Sequence, residues 1–324
     1  MAARLLLLLC CVAMFGCPGV QFTLVAQERE GALLSVRGAG PDDVWLCGSD
    51  GGSGPEWHHW DGAAWERIDT SAFAGVDLWW LAVRDDVVTA VGSGGTILTL
   101  DRASGQITSE GPGGDATFFG VIDDGTTRWA VGGNPAATVA PLLWRHTGGA
   151  WEDAQAGVGS DGDVFFKIAG SDDSLVLVGN YGLSKRFDGA AWSDLDTGVD
   201  VPLLTVDVGA EQTVAVGGAG NGVILHLESD AWVDRSPELQ PGINGVCSGA
   251  GRLRAVGATD SIHTWQEGAW TTPSPSDLPT NLFLDYHGCW LDAEGTFWGV
   301  GGNLFQLTRG FLVREGVGTV PAPE

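Results

Sequence analysis

Six histidines, six cysteines and 41 carboxylates are the groups with which this chain of 324 residues could do chemistry, and their spacing joins few of them. Cys10 and Cys11 lie in an apolar run, Cys17 ends it, and Cys47, Cys247 and Cys289 are scattered. No C-x-x-C pair therefore holds a zinc ion, and no disulfide-rich scaffold is written here. A G-x-S-x-G turn that would expose a nucleophilic serine is absent. The glycine-rich runs VGSGGT and VGGAGNG have the composition of phosphate loops, but no helical pattern follows whose N-terminus would hold the anion. GSDGD, from Gly159 to Asp163, offers carboxylates to a calcium ion without the remaining spaced ligands of a dedicated loop. The expected cofactor is none, with a structural calcium as the weak alternative. Carboxylates are plentiful enough for a glycosidase pair, which the fold would have to bring within about 5–10 Å.

The elements that must position these groups are written as a repeat. A tetrad ending in glycine recurs as WLCG at Gly48, TAVG at Gly92, WAVG at Gly132, VLVG at Gly179, VAVG at Gly217, RAVG at Gly257 and WGVG at Gly301. The glycines are 44, 40, 47, 38, 40 and 44 residues apart. Before each lies an apolar stretch, as in LWWLAV, TFFGVI and VFFKIA. After each come a Gly-rich or polar turn, a third stretch such as TILTL, VILHL, SIHTW or LFQL, a second turn, and usually an aromatic. DGAAW at 61–65 and again at 188–192 is the clearest version of that last corner; SDAW, EGAW and RGFL are degenerate ones, and the second copy has lost the tryptophan. Each stretch is about five residues long and none keeps a helical period, so each reads as a strand.

Four short antiparallel strands per unit, repeated seven times, predict an all-β chain folded as a seven-bladed β-propeller. A single such sheet exposes two apolar faces, and stacking in a ring buries both. The expected division is a signal peptide over 1–16, a lipidated N-terminus with a linker or closing strand over 17–30, the propeller over 31–316 and a tail over 317–324. An eighth blade stays open, because the spacing between copies varies and VQFTLVAQ could pair with the last blade. His58, His59, His146, His226 and His263 fall on third strands of different blades, which radiate apart and so do not converge on one metal. His287 lies beside an innermost strand, where it could face the channel.

The Asp-Gly-x-x-Trp corner resembles the Asp-box of bacterial neuraminidase repeats. The whole VG…G.I…DG..W grammar is similar to the photosystem assembly-factor type of propeller, and to secreted bacterial propellers in which DDVWAVG…DG..W recurs. In a full Asp-box a serine stands two residues before the aspartate; His59 and Arg186 stand there instead. The corner also has a purely structural reading: Asp61 and Asp188 accept backbone N–H groups, Gly supplies positive φ, and Trp65 and Trp192 cover the blade edge. A sialidase would need an arginine triad and a Tyr-Glu nucleophile, and neither Tyr181 nor Tyr286 has that context.

The N-terminus, MAARLLLLLCCVAMFGC, has one basic residue, an apolar run too short for a bilayer span and a small residue before Cys17. Met14, Phe15, Gly16 and Cys17 resemble the lipobox of bacterial lipoproteins, which implies export and acylation of Cys17. Pro18, where an inner-membrane retention signal would place Asp, implies the outer membrane. The formal charge of −25, from 41 acidic and 16 basic residues, excludes phosphate backbones as partners.

In a propeller the loops joining strands two and three share a face with those entering each inner strand. That face is expected to carry Asp50, Asn134, Tyr181, Asn221, Asp260 and Asn303, with the doublets Trp79-Trp80, Phe118-Phe119 and Phe165-Phe166 beside the channel. Trp79 and the five loop residues from Asn134 to Asn303 are the candidate ligand contacts; packing between blades accounts equally for the doublets. The opposite face receives the pairs Asp42-Asp43, Asp85-Asp86, Asp123-Asp124 and Asp172-Asp173, read as solvated turns. Cys247 and Cys289 lie on successive inner strands and could bridge, although counted back from their glycines they differ by two residues. The functional expectation is a monomeric, noncatalytic, lipid-anchored scaffold of the cell envelope that binds a protein or glycan. The alternative is a secreted glycan-active enzyme with its carboxylate pair in the propeller axis.

Overall fold

The computed structural model describes residues 22–171, 173–272, 284–316 and 320–323, so the leader and Cys17 lie outside the described residues. Seven sheets of four antiparallel strands form a seven-bladed β-propeller, with two short 3-10 turns beside them among the described residues. The inner strands are Leu33–Gly40, Leu78–Val83, Thr117–Asp123, Phe165–Ser171, Leu203–Val208, Ile243–Gly249 and Asp285–Leu291. Six blades take their strands in chain order. The seventh is built from both ends of the chain: Thr308–Glu315 is its third strand, and Phe22–Gly31 pairs with it as the outer one. Of the two readings of the segment before residue 31, linker or closing strand, the described part is the closing strand. In this blade LFQL is a turn, and RGFL belongs to the third strand instead of the fourth.

Apolar side chains collect in seven clusters, each shared by two successive blades. The alternation of strand side chains explains this, because each blade sends one set forward and one backward. The residue opening each tetrad faces the next blade. Trp298 fills the seam between blades seven and one, Trp45 that between one and two, and Trp129 that between three and four. Arg254 takes the place in the seam between six and seven, where it donates to Glu315 at 2.7 Å. Thr89, Val176 and Val214 stand at the three other seams.

The closing seam has additional fasteners. The buried Glu56 carboxylate accepts from Arg29 at 2.9 Å and lies 2.5 Å from the buried His58 ring, while Arg29 also donates to the Pro323 carbonyl. Burial works against the Glu56 charge, but the His58 and Arg29 hydrogen bonds outweigh it and hold the pKa down to about 2. Trp65, from the first DGAAW, donates to the Pro321 carbonyl at 2.9 Å and packs on Trp60 and Trp298. The corner itself behaves as its residues dictate. Asp61 accepts from Ala63 and Ala64, Asp188 from Ala190 and Ala191, and Gly62 and Gly189 take φ of 91° and 89°.

Cys247 and Cys289 are joined as a disulfide between blades six and seven. The two-residue discrepancy counted in the sequence comes from the intervening turns, since Gly249 pairs with Arg252 but Leu291 with Phe297. In the sheets, Cys289 is equivalent to Val246, one position from Cys247. A one-residue offset puts the two side chains on opposite faces of their own blades, and hence facing each other across the seam.

Candidate functional site

The repeated glycine creates the axial end of the site. At all seven blades the inner strand bulges opposite it: Leu33 pairs with Gly48 and Ser35 with Cys47, which leaves Leu34 unpaired. The same shift leaves Trp79, Phe119, Phe166, Leu204, Asn244 and His287 unpaired. A Cβ at Gly48 would lie 2.1 Å from the Ala32 carbonyl oxygen, and at Gly92 2.0 Å from that of Asp77. Only glycine permits this approach, so the period that identifies the fold is also what forms the bulge.

The unpaired residues form a collar at the mouth of the channel. Trp79 lies 5.3 Å from Phe119 and 5.5 Å from His287, and Phe119 5.4 Å from Phe166, all edge to face. The aromatic doublets therefore divide: Phe118 and Phe165 are wholly buried between blades, while Trp79, Phe119 and Phe166 remain partly exposed on the collar. Freed carbonyls are taken by side chains of neighbouring blades. Lys167 donates to Phe119, His287 contacts the Leu34 oxygen, and Thr205 donates to Asn244 at 2.7 Å.

Beneath the collar Trp80 is buried near the axis, with the Lys167 nitrogen 4.0 Å and the Arg37 guanidinium 4.2 Å from its ring centre. Burial, followed by the charge of Arg37, pushes the Lys167 amine well below its ordinary pKa. Burial, with Lys167 beside it, takes His287 down to about 3, so its ring is neutral. Burial raises Asp207, against the Ser248 hydrogen bond and the Arg37 charge. Asp207 is the single carboxylate on the axis-lining stretches, counted from the residue opposite each glycine to the fourth beyond it.

The sequence-selected loop residues do not gather around Trp79. Asn134 accepts from Ala136, and Asn303 accepts from Gln306, each ordering its own turn. Asp260 meets the Leu284 backbone across the next blade, and Asn221 is exposed. Asp50 is also an organiser, taking the Gly52, Gly54 and Gly75 N–H groups. Tyr181 differs: it is 76% exposed with φ of 52°. Exposed beside it on the same face are Val139, Leu239 at 94% and Phe305 at 98%; Val208, also exposed, is at the other end. The loops of this face carry Asp50, Asp69, Asp161, Asp196, Asp200 and Glu238 and neither of the two lysines.

On the opposite face Asp43 is not simply solvated. It accepts from Arg102 of blade two and from the Trp45 indole, and contacts His59 at 2.8 Å. Asp123 and Asp124 cap their own turn, and Asp172 lies outside the described residues. Asp163 of GSDGD is spent on the Ser160 N–H, and among the described residues no three His, Cys, Asp or Glu side chains converge as a metal site.

Sequence reasoning missed the cavities. One of 460 Å³ opens between blades two and three, one of 300 Å³ between four and five, and two, of 420 and 580 Å³, between five and six. These are the seams headed by Thr89, Val176 and Val214. The signal was in the first letters of TAVG, VLVG and VAVG, against WLCG, WAVG and WGVG.

No family profile matches the chain, and no curated protein matches it. Among solved structures it is similar to YCF48 bound to D1 peptide, the photosystem assembly-factor propeller, with 12% identity over 92% of this chain and 97% of that one and a TM-score of 0.66. YCF48 from Cyanidioschyzon merolae gives 11% over 91% and 98%, at 0.63, and the RRP9 WD40 repeats give 10% over 91% and 97%, at 0.69. At such identities the likeness is one of fold.

Proposed function

We propose that this chain is a noncatalytic binding scaffold of the bacterial cell envelope, exported and anchored through lipid on Cys17, whose collar face docks a polypeptide. The observation that carries the reading is that face itself: an aromatic collar around the channel, with Tyr181, Leu239 and Phe305 standing out of acidic loops. Its chemistry suits an extended segment bearing apolar and basic side chains, since apolar contact supplies affinity and the acidic loops steer association. The fold supports the same reading, because a propeller of this kind is seen with a peptide bound. The enzyme reading asks for two carboxylates about 5–10 Å apart in the axis. The axis brings one, Asp207, facing Arg37.

The test is cross-linking capture from envelope fractions with the wild-type chain and with a Tyr181→Asp, Leu239→Asp, Phe305→Asp variant. A polypeptide captured by the first and lost by the second supports the reading; one retained by both overturns it. Cys17→Ser should release the protein from membranes, and continued retention would refute the anchor.

A further inference from the structure

The seam between blades five and six carries a feature absent from the linings of the other open seams: a tryptophan on its rim. Trp265 lines both of its cavities, together with Glu211 and Gln212. Its strand position is equivalent to Trp60, Leu100 and Phe187, each buried under the tryptophan of the preceding blade. Val214 is too short to cover Trp265, which stays half-buried. Across the seam His226 of blade five lies 4.4 Å from the ring and lines the cavity with it, Trp270 of blade six lies 5.5 Å away, and the Trp270 indole donates to His226 at 3.0 Å. A fixed, partly exposed indole face beside a polar cavity is a stacking platform.

We infer that this cleft is a binding site for an uncharged saccharide, one pyranose ring stacking on Trp265 and its hydroxyls meeting Gln212, Asp207 and Ser248. Gln212 has a buried side-chain oxygen without a partner, a cost that a ligand hydroxyl would remove. Ser248 donates to one Asp207 oxygen at the inner end of the cavity. The turns at 209–210 and 249–251 contribute only glycine and alanine to the walls, so a flat ring can approach the backbone closely. Each cavity falls within the usual size of ligand sites, and their shared residues make the groove continuous, with room for a chain of sugars.

Charge weighs against an anion. Arg252 is spent on the Gly295 carbonyl and on Glu315 of blade seven, and Arg235 on Glu228 at 2.7 Å. Neither is free to clamp an anion, and Glu211 on the walls of both cavities repels one. The cleft opens away from the collar face, so this inference stands apart from the polypeptide reading.

The test is titration calorimetry of the full chain with cellohexaose, maltohexaose, chitohexaose and mannohexaose, beside oligogalacturonate and hexalysine. At least one neutral oligosaccharide should bind, and Trp265→Leu and Gln212→Ala should each weaken it about 10-fold, with melting curves checking that both variants fold. Binding of none of the four, binding of oligogalacturonate or hexalysine in their place, or binding unchanged in both variants would overturn it.

Discussion

Three seams of the ring hold a tryptophan at the head of the tetrad and three hold threonine or valine, although all seven blades share one four-stranded plan. At the tryptophan seams the indole makes ring contacts, as Trp129 does with Phe187 at 5.7 Å and Trp192 at 6.1 Å, and an arginine covers it, Arg145 at 5.0 Å. At the seams headed by Thr89, Val176 and Val214 these side chains are buried, and cavities of 300–580 Å³ open elsewhere along the same seams. The difference teaches that a propeller can assign stability and recognition to different seams without altering its period. One side chain per blade makes the assignment.

The comparison is broken most directly by Trp298→Ala, which should cost about 3–5 kcal/mol through a large cavity in the closing seam, read by urea denaturation. Val214→Ala, which removes two methyl groups at an open seam, should cost about 2 kcal/mol. Equal costs would dissolve the distinction. Seam six to seven, closed by Arg254 and the disulfide, comes next. With its 42-residue separation, losing the bridge by Cys247→Ser should cost about 2–4 kcal/mol. Mass spectrometry of the unreduced protein should find Cys47 as the free thiol among the described cysteines.

Acid should open the closing seam before the others. Glu56 is depressed to about 2 in the fold, so its contribution is complete above its unfolded pKa and is lost as pH falls toward 2. Burial also lowers His58, which the unfolded chain protonates first, and this acts in the same direction. Glu56→Gln should therefore cost about 3 kcal/mol at pH 7, the gap from wild type narrowing between pH 5 and pH 2 in thermal melts. A gap independent of pH would assign the loss to packing. The smallest effects belong to the corners. Asp61→Ala and Asp188→Ala remove capping at exposed turns and should lower the melting temperature less than any seam variant, and by similar amounts.

The amino-acid sequence by itself determined the period and the four-stranded unit, because turn chemistry and strand alternation are local and repeat with the chain; that the blades number seven and not eight was decided by the closed ring. The recurring glycine was legible as the marker of that period, and the strand register showed what it is for, a close backbone approach opposite a bulge. What the sequence left open required knowing which residues meet across blades. Of the loop residues chosen with Trp79, Asn134 and Asn303 order their own turns and Tyr181 stands exposed on the collar face, a difference that turn composition does not encode. The Cys247–Cys289 bridge looked out of register, since counting along the chain includes turns of unequal length that the sheet ignores. Trp265 was only the last residue of the third stretch SIHTW; it stays half-buried because the preceding blade offers Val214 where three others offer indole. Packing against a neighbour some 40 residues away in sequence is settled by the closed ring, and there the tertiary structure decided between core and site.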